Sequence, residues 1–259
     1  MATSLIIAAF CLRQSGFSVI TFVNQIGVVL RLAIIQTGGL GTIDALISVS
    51  NYFLGVTLGL VFLTLSFSFA AIWRTRSHEA KNGMVVSLAG AVISFIIIGV
   101  TIASAFLALG IVISYYLVFK LSENYAKELK KWVSFRTGTH SVGRAQFVLN
   151  IFVALGIFVA VLSALPSYQS EFRTDLHDSI SSIVRASLPP GVDQPSIDAQ
   201  ISQQVDSAMS SPIFSAYFRW LPVFTALGVW IVLEFYRLFL PLLAGIFTAL
   251  MSRCFREKS

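Results

Sequence analysis

Long apolar runs without a charged residue dominate this chain. A helix needs about 20 apolar residues to cross the roughly 30 Å hydrocarbon core of a bilayer. Three runs meet this requirement, with 29, 36 and 21 residues: Ala45 to Trp73, Met84 to Phe119, and Ala145 to Leu165. A fourth region, Ile213 to Met251, is also long enough, although it is interrupted by Arg219, Pro222, Glu234, Arg237 and Pro241. The pattern predicts four transmembrane helices.

A shorter uncharged segment, Gln14 to Leu30, precedes these regions and contains Asn24 and Gln25. Such a segment can cross the bilayer, lie in its interface, or pack through a polar face against other helices. The sequence leaves these three placements open. Glycines at positions 38, 39 and 41 predict a backbone break before the next helix.

The composition excludes a water-soluble globule. Hydrophobic residues make up 56% and charged residues 12% of the 259 positions, whereas about a quarter of the residues in a soluble domain are charged. We therefore expect an all-α integral membrane protein, a polytopic helical bundle of four to six spans with a small helical hairpin as its outer domain. The expected divisions are a membrane-associated or spanning helix in 1–41, transmembrane helices in 42–165 with a basic amphipathic segment at 120–144, the outer hairpin in 166–212, the last transmembrane region in 213–252, and a basic tail in 253–259.

The distribution of charge predicts the orientation of this multi-pass protein. Basic residues concentrate in short cytoplasmic segments of membrane proteins. Residues 120–144 carry six basic and two acidic side chains, and the tail after Ser252 carries three basic and one acidic. Residues 166–212 carry six acidic and two basic side chains. We expect the basic segment and the C-terminus to be cytoplasmic and the acidic segment to lie outside.

The 36-residue run has two possible arrangements. As one long helix of roughly 54 Å, it places residues 74–82 outside, although that segment has a net positive charge. As two crossings that turn near Gly99, it places residues 74–82 inside and adds one span. No proline or polar cluster marks a turn, so the expectation is one long helix.

The acidic segment has apolar residues at helical spacing on both sides of a break at Leu188–Gly191. We expect two amphipathic helices, with Ser196 as the N-cap of the second. Their stripes can cover one another, form a surface for assembly with another subunit, or contact a ligand. The residues proposed for an assembly surface are Phe172, Leu176, Ile180, Ile197, Ile201, Val205 and Met209.

The basic segment carries Lys127, Lys130 and Lys131 beside an apolar stripe. Such a stretch suits the anionic surface of a membrane, so these lysines are candidates for contact with lipid headgroups. A solvated loop is the alternative. Nucleic acid is not an expected partner, because no recognition motif accompanies the basic residues.

Small residues recur four positions apart within the spans, a spacing that lets helices approach closely. The candidate packing positions include Gly55 with Gly59 and Gly90 with Ser94. Packing within the chain explains these pairs more readily than oligomerisation. Asn24, Gln25 and Asn150 are candidates for hydrogen bonds between helices.

Glu234 and Arg237 are the principal candidates for function. Ionisable groups inside a membrane are costly and face a protein interior or a watery cavity. The two residues share a helix face at a spacing of three, and Arg219 lies about four turns earlier. They could line a polar pathway or form a buried structural pair. A third possibility is that the span ends at Leu233, leaving them at the interface and residues 238–251 on the membrane surface.

No pattern for catalysis accompanies these features. Cys11 and Cys254 lie near opposite ends of the chain, the three histidines are dispersed, and no metal-ligand or nucleotide-binding motif occurs. We expect no enzyme activity, no cofactor and no metal. The expected role is a structural or accessory subunit of a homo- or hetero-oligomeric membrane complex, with the lipid bilayer and other membrane subunits as partners. The alternative is a channel or transporter subunit with its pathway near Glu234 and Arg237.

Overall fold

The computed structural model describes residues 1–14, 40–76, 80–129, 132–187 and 194–256. Within these ranges the regular structure is entirely helical. The helices are α1 (Ala2–Gln14), α2 (Leu40–Arg76), α3 (Ala80–Ile98), α4 (Ile102–Glu128), α5 (Val133–Ser187), α6 (Gln194–Met209) and α7 (Pro212–Arg256). Asn24 and Gln25, with most of the segment from Gln14 to Leu30, lie outside the described residues, and Gly41 lies inside α2.

Within the described residues, four helices are long and apolar enough to span a membrane. The candidate spans are Ser50–Thr75 in α2, Ile102–Glu128 in α4, Val133–Val184 in α5 and Pro212–Cys254 in α7. Helix α1 and residues Asn82–Ile98 of α3 are apolar but shorter. The structure confirms the predicted all-helical class and shows several helices of membrane-spanning length. The assignment of these helices as spans rests on their length and composition.

The expectation of one helix from Met84 to Phe119 is wrong. The chain leaves α3 at Ile98 and begins α4 at Ile102, with Gly99 at a φ of +114°, a conformation accessible to glycine. Thr101 caps α4: its hydroxyl accepts from the Ser104 amide at 3.1 Å, and the Ser104 hydroxyl accepts from the Thr101 amide at 2.9 Å. This capping box, spread over four residues of an apolar run, is the turn signal that the sequence interpretation missed.

Helices α3 and α4 therefore form an antiparallel hairpin. A Cβ added at Gly83, near the start of α3, would lie 2.6 Å from the ring of Phe119, near the end of α4. Arg74, near the end of α2, forms an ion pair with Glu123 of α4. The end of α2 and the basic end of α4 thus lie together, as in the alternative with a turn near Gly99.

The chain divides into two compact units. Unit 1 comprises Met1–Ile157 and Leu227–Ser259, and unit 2 comprises Phe158–Ala226. In unit 1, α1 packs on α2 and α3 through its buried residues Leu5, Ala8, Ala9 and Leu12. The first part of α5 runs antiparallel to α4, where the Ser114 hydroxyl donates to the Ala145 carbonyl at 2.9 Å.

Unit 2 contains the second part of α5, helix α6 and the first part of α7. Pro166 lies inside α5, which continues to Ser187, so the third predicted span and the first predicted helix of the outer hairpin form one continuous helix. Helix α6 begins at Gln194, so Ser196 lies within its first turn and is not the N-cap. The ring of Phe172 on α5 contacts Phe214 and Phe218 on α7, with centroids 5.7 and 5.6 Å away.

Candidate functional site

A carboxylate with two partners is the centre of the candidate site in unit 1. Glu234 Oε2 accepts a hydrogen bond from Arg237 Nε at 2.6 Å, one helical turn further along α7. Glu234 Oε1 accepts from Asn150 Nδ2 on α5 at 3.0 Å. Both carboxylate oxygens are therefore engaged within the chain, which lowers the cost of placing the charge among apolar helices.

The guanidinium of Arg237 also lies over an aromatic ring. Its Cζ is 5.1 Å from the centroid of Phe147 on α5, within the range of a cation–π interaction. The side chain of Arg237 is 37% accessible and that of Glu234 is 18% accessible. The pair is thus partly covered, with its positive member closer to the protein surface.

Two further hydrogen bonds extend this cluster to α2. The Tyr236 hydroxyl on α7 lies 2.7 Å from Thr57 Oγ1, and Gln146 Nε2 on α5 donates to Thr64 Oγ1 at 2.6 Å. The two threonine hydroxyls bond in turn to carbonyls of their own helix, at Phe53 and Leu60. Polar contacts therefore join α2, α5 and α7 inside the spans.

A narrow cavity borders the cluster. Its polar lining comes from Gln146, Asn150, Tyr236 and Arg237, and leucines of α2, α5 and α7 supply the remainder. The volume of about 10 Å³ is at the lower limit for one water molecule. Gln146 is 95% buried, and its Oε1 has no hydrogen-bond partner among the described residues.

Helix α7 does not end at the ion pair. Beyond Arg237 it continues to Arg256, with Leu240, Ala244 and Thr248 buried. A Cβ added at Gly138 of α5 would lie 2.9 Å from Thr248 Cβ, so the two helices are in close contact there. Residues 238–251 therefore continue α7 and pack into unit 1.

The structure places the other sequence-predicted residues as follows. Arg219 belongs to unit 2, where it is exposed and forms no ion pair or hydrogen bond within the described part of the chain. Lys127 is 2.9 Å from Glu123, the residue that also binds Arg74. Lys130 and Lys131 lie outside the described residues.

The small residues receive side chains from this same chain. A Cβ at Gly59 would lie 2.8 Å from Leu12, and one at Gly90 would lie 2.6 Å from Leu5, both on α1. Ser94 is buried and donates to the Gly90 carbonyl at 2.8 Å, whereas Gly55 is half-buried. These contacts agree with the expectation of packing within the chain.

The residues proposed for an assembly surface are largely covered within unit 2. Ile201 and Val205 are 4% and 1% accessible. The others, Phe172, Leu176, Ile180, Ile197 and Met209, are half-buried. Contact of these residues with another subunit remains a prediction, but the stripe on α6 already has a partner within its own unit.

The sequence interpretation missed Thr57, Thr64, Gln146 and Tyr236. Gln146 and Asn150 are four positions apart in an apolar run, the spacing of neighbours on one helix face. That spacing was a usable signal for a polar stripe, but it does not indicate which helices the stripe meets. The expected role of Asn150 in an interhelical hydrogen bond is confirmed.

Comparison with known proteins supplies no relative for this chain. No protein-family model matches it, and neither a curated protein nor a solved structure does.

Proposed function

We propose that this chain is a non-enzymatic, multi-spanning membrane protein that acts as a structural or accessory subunit of a homo- or hetero-oligomeric membrane complex. The observation that carries the proposal is the internal pairing of Glu234. Because Arg237 and Asn150 occupy both carboxylate oxygens, the charged group stabilises the contact between α5 and α7. Such a group is less available for a bound ion or substrate.

The exposed surface of α7 in unit 1 supports the same role. Its accessible positions are large and apolar, which suits contact with lipid or with apolar helices of another subunit. The residues are Leu227, Ile231, Phe235, Leu238, Phe239, Leu242, Leu243, Ile246 and Leu250. Gly228 lies among them with open space around the position of a Cβ, and a glycine on an apolar face allows a second helix to approach closely.

The oligomeric state tests this proposal. The full-length protein, extracted in a mild detergent and examined by native mass spectrometry, is expected in a discrete complex heavier than its 28.3 kDa chain. Gly228→Leu is expected to weaken a complex that uses this face, whereas Val85→Leu, at an exposed position of α3, is the matched control. A strictly monomeric wild type without a partner would contradict the proposal.

A second candidate function is a channel or transporter subunit. It is favoured by the cavity beside Glu234 and Arg237, where Gln146 presents a buried oxygen without a partner among the described residues. In that case, purified protein in liposomes conducts ions, and Glu234→Gln changes the conductance. Absence of flux from properly inserted, oligomeric protein would exclude this candidate and leave the structural role.

A further inference from the structure

The helix ends that carry the basic residues of unit 1 lie together. The Arg74–Glu123 ion pair joins the end of α2 to the end of α4. The rings of Tyr125 on α4 and His140 on α5 have centroids 5.5 Å apart. The close contact between Gly138 and Thr248 then brings the end of α7 to the start of α5.

Cations at this basic end outnumber the acids among the described side chains. Six are basic, namely Arg74, Lys120, Lys127, Arg136, Arg144 and Arg253, and two are acidic, namely Glu123 and Glu128. Arg74 and Lys127 both form an ion pair with Glu123, so these two cations already have an acidic partner.

The other four cations remain available. Lys120, Arg136, Arg144 and Arg253 are exposed, and none forms an ion pair or hydrogen bond within the described residues. Glu128, the second acid, is exposed and likewise has no partner in this part of the chain. Among the described side chains, the basic end therefore retains a positive charge that no acidic group neutralises.

Apolar side chains lie one helical turn from each free cation. Tyr116 is four positions before Lys120, Trp132 is four before Arg136, Phe147 is three after Arg144, and Leu250 is three before Arg253; all four are exposed. Within a helix, residues at these spacings are neighbours on the surface, and Trp132 immediately precedes α5. Each cation is thus next to an apolar group of the kind that contacts an acyl chain.

Two exposed tryptophans lie beside the basic ends of these helices. Trp73 adjoins Arg74 and is 49% accessible, and Trp132 immediately precedes α5 and is 74% accessible. Tryptophan is enriched where hydrocarbon meets water, because its ring is apolar and its N–H is polar. Guanidinium and ammonium groups are suited to phosphate oxygens.

We propose that Lys120, Arg136, Arg144 and Arg253 form a binding surface for anionic phospholipids, with the phosphate on the cations and the acyl chains on the neighbouring apolar side chains. This surface differs from the one that the lysine run suggested, since Lys127 is paired with Glu123. It does not depend on whether the protein is a structural subunit or a channel.

The test is lipid binding to the full-length protein in detergent, measured by native mass spectrometry with phosphatidylglycerol and phosphatidylcholine. Wild type is expected to retain phosphatidylglycerol preferentially. Each of Lys120→Gln, Arg136→Gln, Arg144→Gln and Arg253→Gln is expected to weaken that binding about fivefold, the effect of about 1 kcal/mol per basic residue near an anionic surface. The fourfold variant is expected to lose the preference.

Arg219→Gln is the matched control, since Arg219 is an exposed cation of unit 2 without an ion pair among the described residues. It is expected to leave phosphatidylglycerol binding unchanged. Equal retention of both lipids by wild type, or a fourfold variant that binds like wild type, would overturn the proposal. Should the fourfold variant fail to fold, the single variants decide. Displacement of the lipid by millimolar inorganic phosphate would identify a phosphate-ion site and also overturn it.

Discussion

Asn150 donates its side-chain amide to the Glu234 carboxylate across the contact between α5 and α7, bridging 84 positions of the chain. Asn150 is 4% accessible, and Glu234 keeps its other oxygen on Arg237. The hydrogen bond connects two helices that the Arg237 guanidinium also joins through its contact with the Phe147 ring. It therefore selects one register of α5 against α7, since a shift by one residue would separate the two polar groups.

Replacement of Asn150 by leucine leaves Glu234 Oε1 without its partner. We expect Asn150→Leu to lower the free energy of unfolding by about 1 kcal/mol, since interhelical hydrogen bonds in membranes contribute about 0.6 kcal/mol on average and up to about 1.7. Unfolding in detergent monitored by circular dichroism measures this change. Ser163→Ala is the control, because that exposed hydroxyl bonds to its own helix at Val159. Equal stability of Asn150→Leu and wild type would contradict the structural role.

Replacing Arg237 alone is expected to lower the free energy of unfolding more than replacing both Glu234 and Arg237. In Arg237→Met, Glu234 keeps a negative charge without its counter-ion, and we expect the free energy of unfolding to fall by about 1–3 kcal/mol, the cost of leaving a partly covered charged group without its hydrogen-bond partner. In Glu234→Leu with Arg237→Met, no charge remains and most of the stability is expected to return. Equilibrium unfolding of wild type, both single variants and the double variant measures the coupling. A double variant less stable than either single variant would show that the two residues do not act as a pair.

Two glycines of unit 1 allow the effect of backbone strain to be compared with that of helix propensity, without steric crowding at either position. A Cβ at Gly99 or at Gly228 would have no heavy atom within 4 Å among the neighbours considered, but Gly99 has a φ of +114° and Gly228 lies within α7. Gly99→Ala is expected to destabilise by about 1–3 kcal/mol through strain. Gly228→Ala is expected to stabilise by roughly 0.5–1 kcal/mol through helix propensity. Thermal unfolding compares the two, and a neutral Gly99→Ala would argue against the turn.

Burial of Val205 predicts that this residue stabilises unit 2. Val205→Asn introduces a polar group at a position 1% accessible, and we expect a loss of about 2 kcal/mol. Ile183→Asn is the control in the same unit, since Ile183 is 67% accessible. Protease sensitivity of unit 2 and the unfolding temperature report the loss. If Val205→Asn instead dissociated an oligomer at unchanged unfolding temperature, the α6 stripe would be an assembly surface after all.

The ion pair between Arg74 and Glu123 predicts that the end of α2 and the end of α4 face the same side of the membrane. In a background with Cys11→Ser and Cys254→Ser, single cysteines introduced by Thr75→Cys and Lys127→Cys should react with a membrane-impermeant thiol reagent from the same side. Leu155→Cys, at an exposed apolar position of α5, should stay unlabelled. Labelling of Thr75→Cys and Lys127→Cys from opposite sides would contradict the hairpin and support one long helix from Met84 to Phe119.

Hydropathy and charge were sufficient to predict helices at all four apolar regions. Their runs exceed the length that a bilayer requires, and a backbone in hydrocarbon must satisfy its own hydrogen bonds, which makes helices the natural result. The same reasoning failed between Met84 and Phe119. Length alone does not distinguish one long helix from two packed ones, and the capping box of Thr101 and Ser104 is a local signal that hydropathy does not contain.

The candidate site was predictable in its residue types but not in its connections. Glu234 and Arg237 are conspicuous in the sequence because charges in apolar helices are costly, and their spacing of three places them on one face. The connections are made between side chains that are distant in the sequence. Asn150 donates to the Glu234 carboxylate, Gln146 donates to Thr64, and the apolar stripe of α6 is buried within unit 2. Composition and periodicity determine whether a segment prefers water or the hydrocarbon of a bilayer, because the free energy of that transfer is the sum of contributions from the residues of the segment itself. The partner of each polar group depends on how helices pack, and only the three-dimensional arrangement decides it.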